Sequence, residues 1–192
     1  AFIKETFKLL RSGLPENIEV HMDTCEEVLT VNGDATQLHQ VLMNLVTNAR
    51  DAVKDTHNPS INISLQSLYI DDVLAKEHVY LDKGYYAHLV VSDNGSGIPD
   101  NMRAQVFDPF FTTKEQGKGT GLGLAMVFGA IKTHQGFVEV GQTDTQGTSI
   151  HVYIPLLDGN QTYLPSDLSA PVQEGRGELI LLVDDEVEIL DV

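Results

Sequence analysis

Two helical patterns and the strand patterns around them constrain the fold of this chain most. An amphipathic stretch runs from Asp34, a plausible N-cap with Gln37 three residues later, to Val53. A second helical pattern covers residues 122–134, and the clearest strand patterns lie at residues 60–68, 85–92, 137–142 and 148–154. Because helices and strands do not alternate regularly, the order predicts an α+β fold, a two-layer α/β sandwich. Its mixed, mostly antiparallel sheet would be covered on one face by helices.

Weaker patterns complete this prediction. Residues 1–12 have a weak helical spacing, Ile18 to Met22 alternates as a strand, and Val28 to Val31 is expected to form a second short strand. The second helix is expected to end with Gly136 in the position that favours a left-handed residue.

Composition excludes several classes of protein. The 192 residues are 42% apolar, enough for one packed domain and a short extra piece. A single cysteine, Cys25, allows no internal disulfide, and no apolar run resembles a signal peptide or membrane span, so we expect a cytoplasmic chain without direct membrane contact. The formal charge of -16 disfavours binding to nucleic acid and requires that any bound polyanion be held by local donors and a cation.

The first helical pattern carries a narrow polar stripe beside its apolar face. On a helical wheel this stripe consists of Gln37, Gln40, Asn44, Asn48 and Asp51. Asparagine is a poor helix former, and a metal ligand would explain its use here, since Mg²⁺ takes oxygen ligands and needs only one or two protein groups beside a substrate phosphate. Asn48 is the candidate ligand. The alternative is that the stripe is simply a solvated face.

A polar and glycine-containing segment, SDNGSGIP at residues 92–99, follows the strand pattern that ends near Ser92. A carboxylate accepts hydrogen bonds but does not donate them, so Asp93 suits the exocyclic amine of adenine. Gly95 and Gly97 would let the backbone approach a flat ring. An ordinary turn is the alternative explanation.

The glycine segment, Gly117 to Leu124, leads directly into the second helical pattern. Converging backbone N–H groups and the N-terminus of the helix favour phosphate, and Thr120 could add a hydroxyl donor. The spacing fits neither a Walker A loop nor a dinucleotide-binding fingerprint. A flexible linker is the alternative.

The phenylalanine segment, residues 107–114 with the sequence FDPFFTTK, precedes the glycine segment. Three phenylalanines in this position predict a loop that docks on apolar surface in one state and swings away in another. Lys114 and Lys118 could reach a terminal phosphate. The alternative is that the phenylalanines fill the core.

Taken in order, these four segments resemble the asparagine box, first glycine box, phenylalanine box and second glycine box of sensor histidine kinases. The match covers about residues 14–156. It implies the catalytic, ATP-binding domain in the Bergerat-fold superfamily, which also includes gyrase, a heat-shock chaperone and a mismatch-repair protein. The amino-acid sequence of the phenylalanine and glycine segments resembles that of the nitrogen-regulator subgroup, and this resemblance places Lys114 near the γ-phosphate.

The resemblance implies roles for individual residues. Asn48 resembles the magnesium ligand, Asp93 the adenine reader, and Gly147 with Thr148 the turn below the adenine. The remaining residues that the resemblance places at the nucleotide are Asn44, Asp51, Ala52, Gly95, Gly97, Ile98, Phe107, Lys114, Gly119, Thr120, Gly121, Leu122 and Gly123. The implied cofactors are ATP and Mg²⁺.

Asn44 is the residue that distinguishes phosphoryl transfer from ATP hydrolysis. In ATPases of the superfamily this position typically holds a glutamate that activates water, and an amide cannot act as a general base. Asn44 and Lys114 are therefore the expected catalytic residues of phosphoryl transfer to a histidine. A non-catalytic nucleotide sensor and, less favoured, an ATPase remain alternatives.

The acceptor histidine is expected outside this chain. None of the seven histidines is followed by an acidic residue, the context typical of the acceptor on a dimerisation domain, so the chain is not expected to phosphorylate itself. Residues 1–13 would be the end of that preceding helical region, and residues 157–177 a linker. Residues 178–192, an apolar strand ending in Asp184, Asp185 and Glu186, resemble the start of a receiver domain, which would make the parent protein a hybrid kinase.

Overall fold

The computed structural model describes residues 2–77, 80–114, 119–144 and 147–157. In chain order its elements are α1 (Phe2–Gly13), β1 (Glu19–Thr24), α2 (Ala35–Ala52), β2 (Ser60–Ile70), α3 (Leu74–Glu77), β3 (Gly84–Asp93), α4 (Gly123–Thr133), β4 (Phe137–Asp144) and β5 (Gly147–Pro155). A single turn of 3₁₀ helix covers Asp100–Met102.

The strands form one five-stranded sheet in the order β1-β2-β3-β5-β4. β1 and β2 are parallel and are joined through α2, as a parallel connection requires, whereas the other three pairings are antiparallel. This arrangement confirms the predicted α+β class and the mixed, mostly antiparallel sheet.

The main core lies between the sheet and the helices α2 and α4. α2 buries Val41, Leu42, Leu45, Val46 and Ala49 because these residues recur at helical spacing on one side. They meet Val127 and Ile131 of α4, and alternate strand residues such as Val91 and Val152, in one apolar cluster.

A second, smaller cluster lies on the opposite face of the sheet. Tyr86 and Tyr153 alternate with the core residues of β3 and β5, and they pack with Ile70 and Leu81. The connection between β2 and β3 therefore covers one corner of the outer face, and it contains the short α3 that the sequence pattern did not reveal.

Two local predictions were wrong. Val28 to Val31 is not a strand, since only Val31 forms an isolated bridge, to Leu156, and Val28 is 91% exposed. The left-handed residue after α4 is Gln135, with a φ of 56°, rather than Gly136. Gly136 is needed for a different reason, because a Cβ there would lie 2.4 Å from the carbonyl oxygen of Tyr153.

Of the regions predicted to flank the catalytic domain, the structure describes the N-terminal one but little of the C-terminal one. α1 packs on α2, with Thr6 and Leu10 buried and the Thr6 hydroxyl 3.3 Å from Nδ1 of His39. The predicted linker, apart from Leu157, and the predicted receiver strand lie outside the described residues. Within the described part of the chain, no helix combines the length and the apolar character that a membrane span requires.

Candidate nucleotide-binding cleft

A cleft of about 560 Å³ opens between α2, the end of β3 and the start of α4. Thirteen of the predicted site residues line it: Asn44, Asn48, Asp51, Ala52, Asp93, Gly97, Ile98, Lys114, Gly119, Thr120, Gly121, Gly123 and Thr148. Three others, Gly95, Phe107 and Leu122, are not part of the lining. The cleft thus joins parts of all four sequence segments.

The floor of the cleft is one side of α2. Asp34 caps this helix by accepting the N–H groups of Thr36 and Gln37, as the sequence predicted. The polar stripe is divided along the helix: Asn44, Asn48 and Asp51 line the cleft, whereas Gln37 and Gln40 do not.

Asn44 places an unpartnered donor at the cleft. Its Nδ2 atom is buried and has no hydrogen-bond partner among the described residues. Leaving a buried amide donor unpaired costs about 1–3 kcal/mol, so such a group needs an acceptor, and a phosphate oxygen would be one.

Asn44 and Asn48 also form the part of the cleft that suits a cation. A Cβ placed on Gly123 would lie 3.7 Å from Oδ1 of Asn48 and 3.9 Å from Oδ1 of Asn44. Nδ2 of Asn48 is nearer still, at 3.5 Å, so the side-chain amides of both residues border the space beside Gly123. Amide oxygens are suitable ligands for Mg²⁺, so the residues present fit this ion.

Asp93 lines the cleft at the end of β3. It is the last residue of β3, and its partner across the ladder to β5 is Thr148. Oδ1 of Asp93 accepts the N–H of Gly95 at 2.8 Å. Burial raises the pKa of Asp93 above the usual 3.8, and hydrogen bonds from the backbone N–H groups of Gly95 and Thr148 oppose this rise.

Thr148 is part of a small hydroxyl network beside Asp93. It is buried, and its hydroxyl lies 3.1 Å from that of Thr143. The Thr143 hydroxyl in turn accepts the N–H of Ile98 at 2.7 Å. The hairpin of β4 and β5 therefore fixes the loop that follows Asp93.

The two glycines after Asp93 pack closely against other parts of the protein, which is a second reason for glycine at these positions. A Cβ on Gly95 would lie 2.5 Å from the carbonyl oxygen of Ala52 at the end of α2. At Gly97, where φ is +73°, it would lie 1.9 Å from the carbonyl oxygen of Asp144. These glycines allow the loop to pack against α2 and β4, and only Gly97 also lines the cleft.

The glycine and phenylalanine segments contact each other through their backbones. The N–H of Phe110 donates to the carbonyl oxygen of Gly121 at 2.9 Å. Gly121 has a φ of +64°, and a Cβ there would lie 2.4 Å from the backbone of Phe110. Thr120 is exposed, and its hydroxyl accepts the N–H of Leu122 near the start of α4. Gly117 and Lys118 lie outside the described residues.

The three phenylalanines lie in three different environments. Phe107 packs against the core, with its ring 5.9 Å from that of Phe128, and its prediction as a nucleotide contact stays a prediction. Phe110 is 75% exposed with a left-handed φ of 68°. Phe111 lines the cleft. The core explanation therefore applies to Phe107 but not to Phe110, and the predicted movement of the loop stays a prediction.

Lys114 is paired with the carboxylate of Asp51. Its Nζ lies 2.5 Å from Oδ2 of Asp51, and Arg50 donates to Oδ1 of the same carboxylate. Burial would raise the pKa of Asp51, but the hydrogen bonds and charges of Lys114 and Arg50 outweigh it and hold the pKa below 3.8. The sequence placed both residues in the site but did not predict that they pair.

The sequence also missed one wall of the cleft. Met102 and Val106 line it, in a stretch where no function was predicted. Arg103, between them, donates to the carbonyl oxygens of Val140 and Gly141 and so fixes this wall to β4. The spacing of Met102 and Val106, four residues apart, was the available signal.

The comparisons with known proteins agree with this geometry. The family model described as histidine kinase-, DNA gyrase B- and HSP90-like ATPase matches residues 33–158. The chain is 36% identical over 149 residues to the sensor kinase CckA of Brucella abortus (strain 2308), which covers 78% of this chain and 16% of that protein. It is 33% identical over 153 residues to the sensory histidine kinase/phosphatase NtrB of Rhizobium leguminosarum bv. phaseoli, covering 77% of this chain and 38% of that protein.

Solved structures give the same result. The nucleotide-free catalytic domain of histidine kinase ThkA superposes with a TM-score of 0.63 at 31% identity, over 80% of this chain and 90% of that one. A structure of ThkA in complex with the response regulator protein TrrA gives 0.60 at 26% identity, over 81% and 40% of the two chains. The chain thus spans one domain of ThkA and well under half of the two curated relatives.

Proposed function

Because the chain belongs to the family of histidine kinase-, DNA gyrase B- and HSP90-like ATPases, we propose that it binds Mg-ATP in the cleft and donates the γ-phosphate to a histidine. It would be the catalytic domain of a sensor histidine kinase and act in two-component signal transduction in the cytoplasm. The observation that carries the proposal is that Asp93, Asn48 and Lys114, from three separate segments, line one cleft.

Asp93 would bind the adenine. One of its oxygens is occupied by the N–H of Gly95, which leaves acceptor capacity for the exocyclic amine of the base. Thr148, across the strand pair, would contribute its hydroxyl to the same end. This arrangement favours adenine over guanine, because guanine has a carbonyl oxygen where adenine has the amine.

Asn48, with Asn44 beside it, would hold Mg²⁺, and when bound the ion would neutralise charge on the phosphates. The unpartnered Nδ2 of Asn44 would donate to a phosphate oxygen. Lys114 would balance the charge of the phosphoryl group that is transferred. The histidine nitrogen would attack in line, forming the N–P bond as the bond between the γ-phosphorus and the bridging oxygen of ADP breaks.

Asn44 supports transfer rather than hydrolysis. It lies on the floor of the cleft, where an ATPase would need a general base, and its amide cannot take a proton from water. The acceptor would lie on a dimerisation domain of the same parent kinase, of which α1 would be the final part. A downstream receiver domain, joined by a linker after β5, and a response regulator, by analogy with the ThkA complex, would complete the pathway.

The nucleotide assignment is tested by calorimetric titration with a non-hydrolysable ATP analogue, with and without Mg²⁺. Asp93→Asn should lower affinity by about 100-fold, because the new amide cannot accept both the N–H of Gly95 and the adenine amine. Asp23→Asn, on the far edge strand β1, is the matched control and should bind as wild type. Unchanged affinity in Asp93→Asn would refute the assignment.

The transfer assignment is tested separately with radiolabelled ATP. The chain alone should acquire no acid-labile phosphohistidine and should not turn ATP over at a steady rate. It should phosphorylate a histidine-bearing dimerisation domain that is supplied as a separate protein. Steady turnover by the chain alone would favour an ATPase, and tight ATP binding without transfer to any such domain would favour a nucleotide sensor.

A further inference from the structure

The ion pair between Asp51 and Lys114 joins two sides of the cleft that are 63 residues apart in sequence. Asp51 is in the last turn of α2, and Lys114 ends the phenylalanine segment. The two oxygens of Asp51 have different partners: Lys114 is at Oδ2, and Nε and Nη2 of Arg50 are at Oδ1 at 2.9 and 2.7 Å. If Lys114 leaves, Arg50 therefore still neutralises the carboxylate.

The glycine segment holds Lys114 in this position. A Cβ on Gly119 would lie 3.0 Å from Cδ and 3.2 Å from Cβ of Lys114, so the aliphatic stem passes closely over this glycine. The backbone N–H of Lys114 also donates to the hydroxyl of Thr112. The ammonium group is thus held beside the cleft by contacts on both sides before any nucleotide binds.

The ion pair is weak enough to exchange. The side chains of Lys114 and Asp51 are 37% and 29% exposed, and ion pairs of this kind contribute about 0.2–1 kcal/mol. A terminal phosphate carries more charge than a carboxylate and offers three oxygens, so it competes well for the same ammonium group.

We propose that Asp51 is a specificity-determining residue that occupies Lys114 until a γ-phosphate replaces it. A nucleoside triphosphate must break the ion pair to gain Lys114, whereas a nucleoside diphosphate leaves the pair intact. The pair therefore weakens the binding of ATP but not of ADP, and after transfer Lys114 returns to Asp51. This inference rests on the proposed function and extends it to the discrimination between substrate and product.

A double-mutant cycle tests the inference, with calorimetric affinities for Mg-ADP and for a non-hydrolysable Mg-ATP analogue. Asp51→Asn should bind the ATP analogue about two- to fivefold more tightly than wild type and should bind ADP unchanged. Lys114→Met should weaken the ATP analogue alone. In the double variant, the gain from Asp51→Asn should disappear, because there is no ammonium group to release.

Removal of a negative charge near the phosphates could by itself strengthen binding, and the cycle separates this effect. A gain that persists in the Lys114→Met background, or that is equal for ADP, would overturn the inference. So would weaker binding of both nucleotides by Asp51→Asn. Asp55→Asn removes the same charge just after α2 and should not alter the ratio of ATP to ADP affinity.

The affinities also show which proposal fails. If wild type binds neither nucleotide, the proposed function itself fails. If wild type binds both and Lys114→Met changes neither affinity, only this inference fails.

Discussion

The two ends of the cleft hold a carboxylate each, and the two carboxylates are stabilised in opposite ways. Asp93 is the more buried, its hydrogen bonds come from backbone N–H groups of a strand end and a turn, and its pKa is raised. Asp51 is paired with two cationic side chains, and its pKa is lowered. The difference shows that the surroundings of Asp93, the proposed adenine end, are built by backbone, whereas the surroundings of Asp51, the proposed phosphate end, are built by side chains that can exchange partners.

This contrast follows from the elements that form each end. The proposed adenine end lies where β3 and β5 pair at Asp93 and Thr148, and its loop packs closely against Ala52 of α2, so strand pairing and backbone packing hold it. The proposed phosphate end uses the phenylalanine segment, which carries Lys114, and Gly119 and Gly121. These parts contact each other through one backbone hydrogen bond, from Phe110 to Gly121, and through a few close approaches. A ligand can reorganise the second end at little cost but not the first.

The largest effect is expected from a substitution that disturbs the backbone conformation of the loop after Asp93. Gly97→Ala would force a methyl group against the carbonyl oxygen of Asp144 and keep a left-handed φ, so it should lower the free energy of unfolding by about 2–4 kcal/mol. Gly129→Ala is the matched control, because a Cβ there meets nothing within 4 Å inside α4. It should raise stability by about 0.5–1 kcal/mol.

Urea unfolding of both variants measures this difference directly. Equal stability of Gly97→Ala and Gly129→Ala would show that the loop after Asp93 relaxes freely. In that case the adenine end would be no more fixed than the phosphate end, and the comparison above would not hold.

The sequence predicted the regular part of the fold because periodicity and capping act locally. α2 begins after Asp34 as expected, and the strand patterns at β2, β3, β4 and β5 were correct to within a few residues. The arrangement of Asp93 at a strand end could also be predicted, since it depends on one strand and the turn directly after it.

The rest depends on contacts between distant residues, which spacing does not encode. Gly95 serves packing against Ala52, and Phe107 packs against the core, although both belong to segments that suggested ligand contact. The pairing of Asp51 with Lys114 could not be predicted because it depends on how the chain folds back over 63 residues. The isolated bridge between Val31 and Leu156 could not be predicted either, because it also joins residues that are distant in sequence.

A smaller effect is expected where the phosphate end meets α2. In Gly123→Ala the new methyl group would lie at ordinary contact distance, 3.5 Å from Nδ2 of Asn48, so the fold should be as stable as wild type or slightly more so. The methyl would fill the space that the side-chain amides of Asn44 and Asn48 border. Affinity for the Mg-ATP analogue should fall by about tenfold, and less without Mg²⁺.

Calorimetry with Gly129→Ala as control tests this prediction, since the control makes the same substitution on the same helix away from the cleft. A variant of Gly123 that loses stability rather than affinity would assign this glycine to the framework, like Gly97. Equal loss of affinity with and without Mg²⁺ would argue against a cation at Asn48.

The smallest effect is the pH dependence of stability, in which the two carboxylates should act with opposite sign. Asp93 has a raised pKa when folded, so wild type should gain stability relative to Asp93→Asn as pH falls through that raised value towards 3.8. Asp51 has a lowered pKa, so its contribution to stability is present above pH 3.8 and is lost as pH falls through its folded pKa, which lies below 3.8. For this partly exposed pair the loss should be about 0.2–1 kcal/mol.

Urea unfolding of wild type and of the two Asn variants between neutral and acid pH measures both differences, and subtraction removes the contribution of all other carboxylates. Differences of the same sign would mean that the backbone and side-chain ends of the cleft hold their charges in the same way.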